Sequence, residues 1–581
     1  GLGFKLEYHL ANKLTFANRT NYNETDTKDT PYGSFRNWVD QNPYDRIFNE
    51  YGEPNRNLSW DNDTPMVEAL LGNYSEGANK SLSNTTDVRW DINDLFRIVG
   101  NFNISITDGN KESYISPDSQ IFKTEKDLNK KGRFERTTDK TVDWSGNINA
   151  SFNKLTEDNS LLSLIIGGEI RKNRYETSTL KAAGFYDDDL NFIGHANGYP
   201  TDDSQKPSGS QDLSTEVGFF ANGNYMFRNR YYADFVYRLS GSSKFGANQR
   251  YGQFWSAGAG WNLHNENFLK SNKLDLLKIR GSVGYTGKTN FSPFQAITMY
   301  KYDNKLEYLN GIGAIPQTIG NEDLKWEREF SYNIGADISL FGRRLNATVD
   351  YYLKKTKDLV LSASKAPSTG VTEGMENIGE MENKGFEFSI DGMLIQHNDF
   401  WWQLSMNGST NKNRILKISN ALKKQNETNN NIPSSRSTAP LAQYEEGEST
   451  TALKVVRSAG IDPATGQEVF IKLDGTRTFL YSADDKVVVG DKEPKFQGTV
   501  STNIFYKGFS LYLMGTFKCG GYLYNETRAT RVEGNSGKTN VDQRAFDDRW
   551  KSPGNITTYR NIANHSTPEH TDRFVEKDNV F

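Results

Sequence analysis

Cysteine is almost absent from this sequence, with one residue, Cys519, in 581. A lone thiol makes no internal disulfide and no cysteine-based zinc site, and within a strand it reads as a small packed side chain. Long hydrophobic runs are missing as well. The most apolar stretch, LLSLIIGG at 161–168, falls far short of the roughly 18–20 residues a membrane-spanning helix needs, which excludes a helical membrane protein. Net charge is only −4 and the Lys and Arg residues are scattered, so no nucleic-acid partner is expected. The six histidines are dispersed, only His565 and His570 lying close in sequence, and no HExxH, GxSxG or phosphate-loop pattern occurs. Neither catalysis nor a cofactor is expected. The opening residues, GLGFKLEYHL, lack an initiator Met and the basic and apolar segments of a signal peptide. On our reading of the chain as an internal piece, that says nothing about its compartment.

What the sequence does have is aromatics and turn formers. Twenty-nine Tyr, 34 Phe and 10 Trp make up 13% of the residues, and Gly is abundant at 50. This mixture suits twisted strands and turn-rich loops. From Gly385 the residues alternate: Phe386, Phe388, Ile390 and Gly392 point one way, Glu387, Ser389 and Asp391 the other. Mean hydropathy of −0.73 does not decide which face meets water, because only alternate residues of a membrane barrel touch lipid.

The connections decide it. Short turns are expected near Asn12, Asp94, Asp158, Asn229, Gly342, Asn398 and Gly508, each flanked by alternating segments of about 8–14 residues. A longer link at 264–277 is expected to hold one short helix. These give about eight hairpins and about sixteen strands. Around Asn229, Val217, Phe219, Ala221 and Tyr225 oppose Glu216, Asn222 and Asn224, then Tyr231, Ala233, Phe235 and Tyr237 oppose Asp234 and Arg238. Between hairpins run long polar excursions, roughly 22–82, 108–138, 178–211, 288–325, 361–382 and 417–495. A soluble sandwich has no reason to sort its loops by parity. An antiparallel transmembrane β-barrel does, with short periplasmic turns and long extracellular loops. Tyr231 and Tyr232, and Phe400, Trp401 and Trp402, lie beside short turns, as an interfacial aromatic girdle requires. Phe386, Phe388 and Ile390 are therefore expected to face outer-membrane lipid and Glu387 and Asp391 a wet lumen. The last strand, 510–524, runs away from its turn with no downward strand expected after it. By parity an odd number of strands is then missing at each end, and the carboxyl-terminal closing strands are expected to be absent.

Several stretches, in order, resemble the SusC-like group of TonB-dependent outer-membrane transporters of Bacteroides-type bacteria (the RagA/SusC type). They are PYGSF with NPY (31–44), RYGQFWSAGAGW (250–261), LKIRGSVGYTG (277–287), NEDLKWE (321–327), DYYLKKTKDLVL (350–361) and NIGEMENKGFEF (377–388). DPATGQEVF (462–470), PKFQGT with YKGFSLYLMGTFKCGGYLYN (494–525) and RWKSPGN (549–555) complete the series. The resemblance implies a barrel of about 22 strands around an N-terminal plug, a TonB box, a SusD-like surface lipoprotein as lid, and energised import of glycans, oligosaccharides or peptides. It also implies that residues 1–581 are part of the barrel, without the signal, TonB box and plug.

Within the loops, Trp38, Tyr44 and Trp60, with Phe185 and Tyr186, are the candidate ligand contacts, since sugar rings and peptide side chains stack on exposed aromatics. The alternative role for them is packing the loops, which must bury something to stay ordered. YDDDLN (186–191) lacks the alternating ligand spacing of a calcium loop and reads as solvated, so no metal is expected. The N-x-S/T triplets at Asn18, Asn57, Asn73 and Asn84 carry no glycosylation meaning in a bacterial protein. Two other readings compete: a passive porin or structural barrel, separated by whether the parent gene encodes a plug and TonB box, and a secreted all-β adhesin or glycan-binding module, separated by solubility without detergent.

Overall fold

A computed structural model describes the chain except for residues 12, 31–34, 57, 60–63, 200–205, 290, 309–310, 536, 562 and 565. Eight antiparallel hairpins follow one another. The first four pair Leu2–Leu10 (β1) with Leu14–Asp29 (β2), Tyr74–Asp91 (β3) with Phe96–Ile115 (β4), Arg133–Leu155 (β5) with Leu161–Ala183 (β6), and Ser208–Phe227 (β7) with Tyr231–Ser242 (β8). The next four pair Tyr251–Asn262 (β9) with Leu274–Lys288 (β10), Glu327–Leu340 (β11) with Leu345–Lys357 (β12), Glu380–His397 (β13) with Phe400–Ser409 (β14), and Phe496–Tyr506 (β15) with Phe509–Tyr524 (β16). Lys412–Lys417 carries β14 onward along β13. Neighbouring hairpins pair in chain order, giving one continuous meander.

The turns fall where expected, apart from Asn12, which lies outside the described residues. Tyr506 pairs with Phe509, leaving a two-residue turn in which Lys507 and Gly508 both have positive φ, 44° and 90°. That is the turn whose twist matches a hairpin, and glycine takes the second position without strain. The link between β9 and β10 holds the short helical turn, Leu263–Asn265.

Two expectations are corrected. The strands are longer than 8–14 residues: β5 and β6 have 23 each. At about 3.3 Å per residue and a tilt near 45° they rise about 50 Å, roughly twice the height of an apolar band. Segments such as 22–29, 74–82 and 133–138, assigned above to excursions, continue the ladder. Beyond the lipid both faces are polar, so alternation vanishes while backbone pairing persists. A downward strand also follows β16: Val575–Val580 (β17) pairs from Tyr524↔Val575 to Lys518↔Val580. Its sequence, VEKDNV, has no apolar face because it pairs only with the far half of β16. Ion pairs Lys518–Asp578 and Arg528–Glu576 hold it there. Among the described residues β1 pairs only with β2 and β17 only with β16, so the sheet is not closed within residues 1–581.

Packing is inverted relative to a water-soluble fold. Large apolar side chains lie exposed along one face of the sheet: Leu2, Phe4, Leu6, Tyr8 and Leu10 on β1, Phe386 and Ile390 on β13. Enclosed apolar clusters occur instead at the long-loop end, such as Phe245, Phe291, Ala296, Leu324 and Val360.

Candidate functional site

The face opposite the apolar one is polar from strand to strand. Arg280 on β10 donates to Asp337 at 3.3 Å and to Asp350, two strands away, at 2.7 Å. It reaches because Gly335 stands between them in register; a methyl group there would come within 2.9 Å of the guanidinium carbon. Gly218 does the same for Arg238 and Glu169 across β6, β7 and β8. Arg19–Asp87, Arg171–Asp143 and Asp391 with Gln403 extend the pattern. In water-filled surroundings such pairs contribute little stability, and they keep the surface hydrophilic. Glu387, Asp350 and Asp391 thus share one face, opposite Phe386 and Ile390, as the alternation requires.

The aromatics beside the turns divide between the faces. Tyr231 stacks on Trp261 at 5.9 Å on the apolar face, and Tyr231 and Trp261 both donate to Glu266. Tyr232 lies on the other face under Lys278. Phe400 meets Tyr506, whereas Trp401 stacks on Phe505 on the polar side. Consecutive strand residues cannot both join a girdle.

At the long-loop end the excursions interlock. Glu68 accepts from Gln120 N at 2.8 Å, Ser119 Oγ at 2.9 Å and Asn73 Nδ2 at 2.7 Å, joining the first two loops. Asp188, the middle acid of YDDDLN, accepts from Gly72 N at 2.8 Å, so this carboxylate clamps the third loop to the first. The first loop also meets the last: Arg531 donates to Asp40 at 2.8 Å and Asn42 to Lys538 O at 3.0 Å. A cavity of about 540 Å³ opens among them, bordered by Asn37, Asp40, Glu68, Tyr74, Tyr114 and Gln120.

Of the five aromatic candidates, Trp60 lies outside the described residues. Trp38 is half-buried in the short helix Phe35–Val39, next to Asn37 of the cavity wall. Tyr44 and Tyr186 are 63% and 62% exposed on the interlocked loops. Phe185 is placed differently, 1% exposed in a core with Tyr114, Phe134 and Ala182, its ring edge-on to Tyr114 at 5.2 Å. Its surface is spent on packing. The polar cavity residues gave no sequence signal, because their partners lie tens to hundreds of residues away.

Comparison with known proteins gives this geometry a family. The model of the TonB dependent receptor-like β-barrel matches residues 15–460. TonB-dependent receptor P3 of Formosa agariphila is 30% identical over 387 residues, 63% of this chain and 38% of that protein. TonB-dependent receptor SusC of Bacteroides thetaiotaomicron is 38% identical over 213 residues, 35% of this chain and 21% of that protein. The chain spans well under half the length of these curated relatives. The RagAB peptide transporter structure superimposes with a TM-score of 0.82 at 21% identity, covering 99% of this chain and 63% of that one, a likeness of fold. Barrels of this kind are outer-membrane proteins, which makes the short-turn end periplasmic and the long-loop end extracellular. The chain belongs to the TonB-dependent receptor-like β-barrel family of the bacterial outer membrane.

Proposed function

We propose that the intact protein is a SusC-like importer that takes up glycan breakdown products or peptides with energy delivered through TonB. The observation that carries this reading is the wall itself, apolar outside and lined inside by Arg–carboxylate pairs, under loops that enclose polar cavities. This chain supplies wall and loops. The plug, the TonB box, the signal and the remaining strands of a barrel of about 22 belong to the rest of the parent. A SusD-like surface lipoprotein covers the extracellular mouth, where Trp38, Tyr44 and Tyr186 contact ligand or lid and Phe185 packs the loop that carries Tyr186; for Trp60, outside the described residues, the same contact is proposed from sequence alone. No bond is made or broken in the cargo; the work is gating.

Uptake assays test this. Deleting the parent gene is expected to abolish growth on one class of oligosaccharide or peptide, and disabling TonB to have the same effect. Growth lost with the gene but untouched by TonB loss would replace the energised importer with a passive pore. Undiminished growth on every nutrient would overturn transport altogether.

A further inference from the structure

A second cavity, of about 530 Å³, lies within the largest loop assembly, where residues 429–441, 481–486 and 566–570 meet. Two charged side chains of opposite sign border it. The Lys486 ammonium donates to Asn430 Oδ1 at 3.1 Å and has no ion-pair partner among the described residues. Burial holds it below the ordinary lysine range, with only the field of Asp484 opposing. The Glu569 carboxylate accepts from Ser434 Oγ at 2.5 Å and likewise has no cationic partner among the described residues. Its charge, after burial, helps push the Tyr481 phenol up to about 12. His570 directs Nε2 to Ser437 O at 3.0 Å, and burial keeps its ring below the ordinary histidine range.

An ammonium and a carboxylate in one cavity would ordinarily pair, because each alone is costly to desolvate. Here the two form no ion pair, and the strand carrying Val456 runs between their backbones. Lys486 opens a strand, Lys486–Asp491, in register with Val456, and Val456 is bridged to Thr571 two residues beyond Glu569. Each charge is met by a neutral amide or hydroxyl, and both are left for something that enters. A cavity of this size falls in the range of small-ligand sites.

We propose that this cavity binds a short peptide as a zwitterion, its terminal carboxylate on Lys486 and its terminal ammonium on Glu569. A neutral sugar can hydrogen-bond to both groups but neutralises neither charge. The assignment narrows the cargo of the importer proposed above and rests on that reading for its physiological use, while binding itself does not depend on transport.

Calorimetry on the intact protein in detergent micelles tests it, with Ala-Ala, N-acetyl-Ala-Ala, Ala-Ala amide and maltose as probes. Ala-Ala is expected to bind, blocking either terminus to weaken binding about tenfold or more, and maltose to give no heat. Lys486→Met should remove the penalty for amidation alone, Glu569→Gln the penalty for acetylation alone, and Lys486→Arg should keep both. No binding of Ala-Ala, binding changed less than about twofold by blocking either end, or maltose bound as tightly overturns the site. If Ala-Ala binds as described yet deletion of the parent gene leaves peptide uptake intact, the site stands and the importer reading falls.

Discussion

Asn18 and Asn84 show how a strand turns a common tripeptide into structure. In Asn18-Arg19-Thr20 and Asn84-Thr85-Thr86 the first and third residues share a face, and antiparallel register sets Asn18 opposite Thr86 and Thr20 opposite Asn84. The four side chains close on themselves: Asn18 Nδ2 reaches Thr86 Oγ1 at 2.8 Å and Asn84 Oδ1 at 3.1 Å, and Asn84 Nδ2 reaches Thr20 Oγ1 at 2.8 Å. This lies on the face that carries Leu6 and Phe102, about six residues from the periplasmic turn, where each group left unpaired meets hydrocarbon. Asn84→Ala is expected to cost about 1–2 kcal/mol in urea unfolding from lipid vesicles. Adding Asn18→Ala should cost much less than its own single effect, since its partner is already gone. Additive losses would show that the four do not act as a unit. Gly335→Val should disrupt the reach of Arg280 to Asp350 and destabilise by about 1–3 kcal/mol, whereas the same change at the open Gly515 should be nearly neutral. Thermal unfolding of both variants side by side tests the contrast.

At the scale of elements, loops and wall answer to different forces. Phe185 sits in a loop-end core, so Phe185→Ala should cost about 3–5 kcal/mol locally. It is expected to open residues 184–199 to limited proteolysis while the hairpins keep their heat-resistant mobility on gels. Cleavage unchanged from the native protein would mean that the core does not order the loop. The segment around His570 carries a pH dependence of definite sign. Its folded pKa is below the unfolded value near 6.5, so an opened segment gains a proton as pH falls through that value and the closed one does not. Stability is full above neutrality and drops on acidification. The neighbouring Asp572 carboxyl, pushed up by burial, works in the opposite sense at lower pH, so the His570 effect is read on the neutral side of the acid range. Hydrogen exchange across 566–575, corrected for intrinsic rates, should be faster at the acid end, and His570→Asn should flatten the difference. Slower exchange on acidification would reverse the assigned sign.

Across the whole molecule, what could be read in advance was what lipid enforces. Alternation in β7, β8, β12 and β13 exposes the period of two, and short turns such as Lys507–Gly508 have demanding backbone angles that only a few residues meet. The upper halves of β2, β3, β5 and β6 lose the pattern because water wets both faces, and β17 never has it. The extracellular site was legible only as aromatics in loops. Its polar framework depends on contacts such as Asp40 with Arg531 that no local pattern encodes, and Phe185 resembles Tyr186 in sequence although one is enclosed and the other open. The central claim remains the one that adjacent residues of β13 put most sharply, that Phe386 meets lipid and Glu387 meets water. Single spin labels at Phe386→Cys and Glu387→Cys, on a Cys519→Ser background in lipid vesicles, separate the two by collisional relaxation. The label at 386 should respond to oxygen and resist a water-soluble nickel chelate, and the label at 387 should do the reverse; the opposite assignment would contradict the barrel.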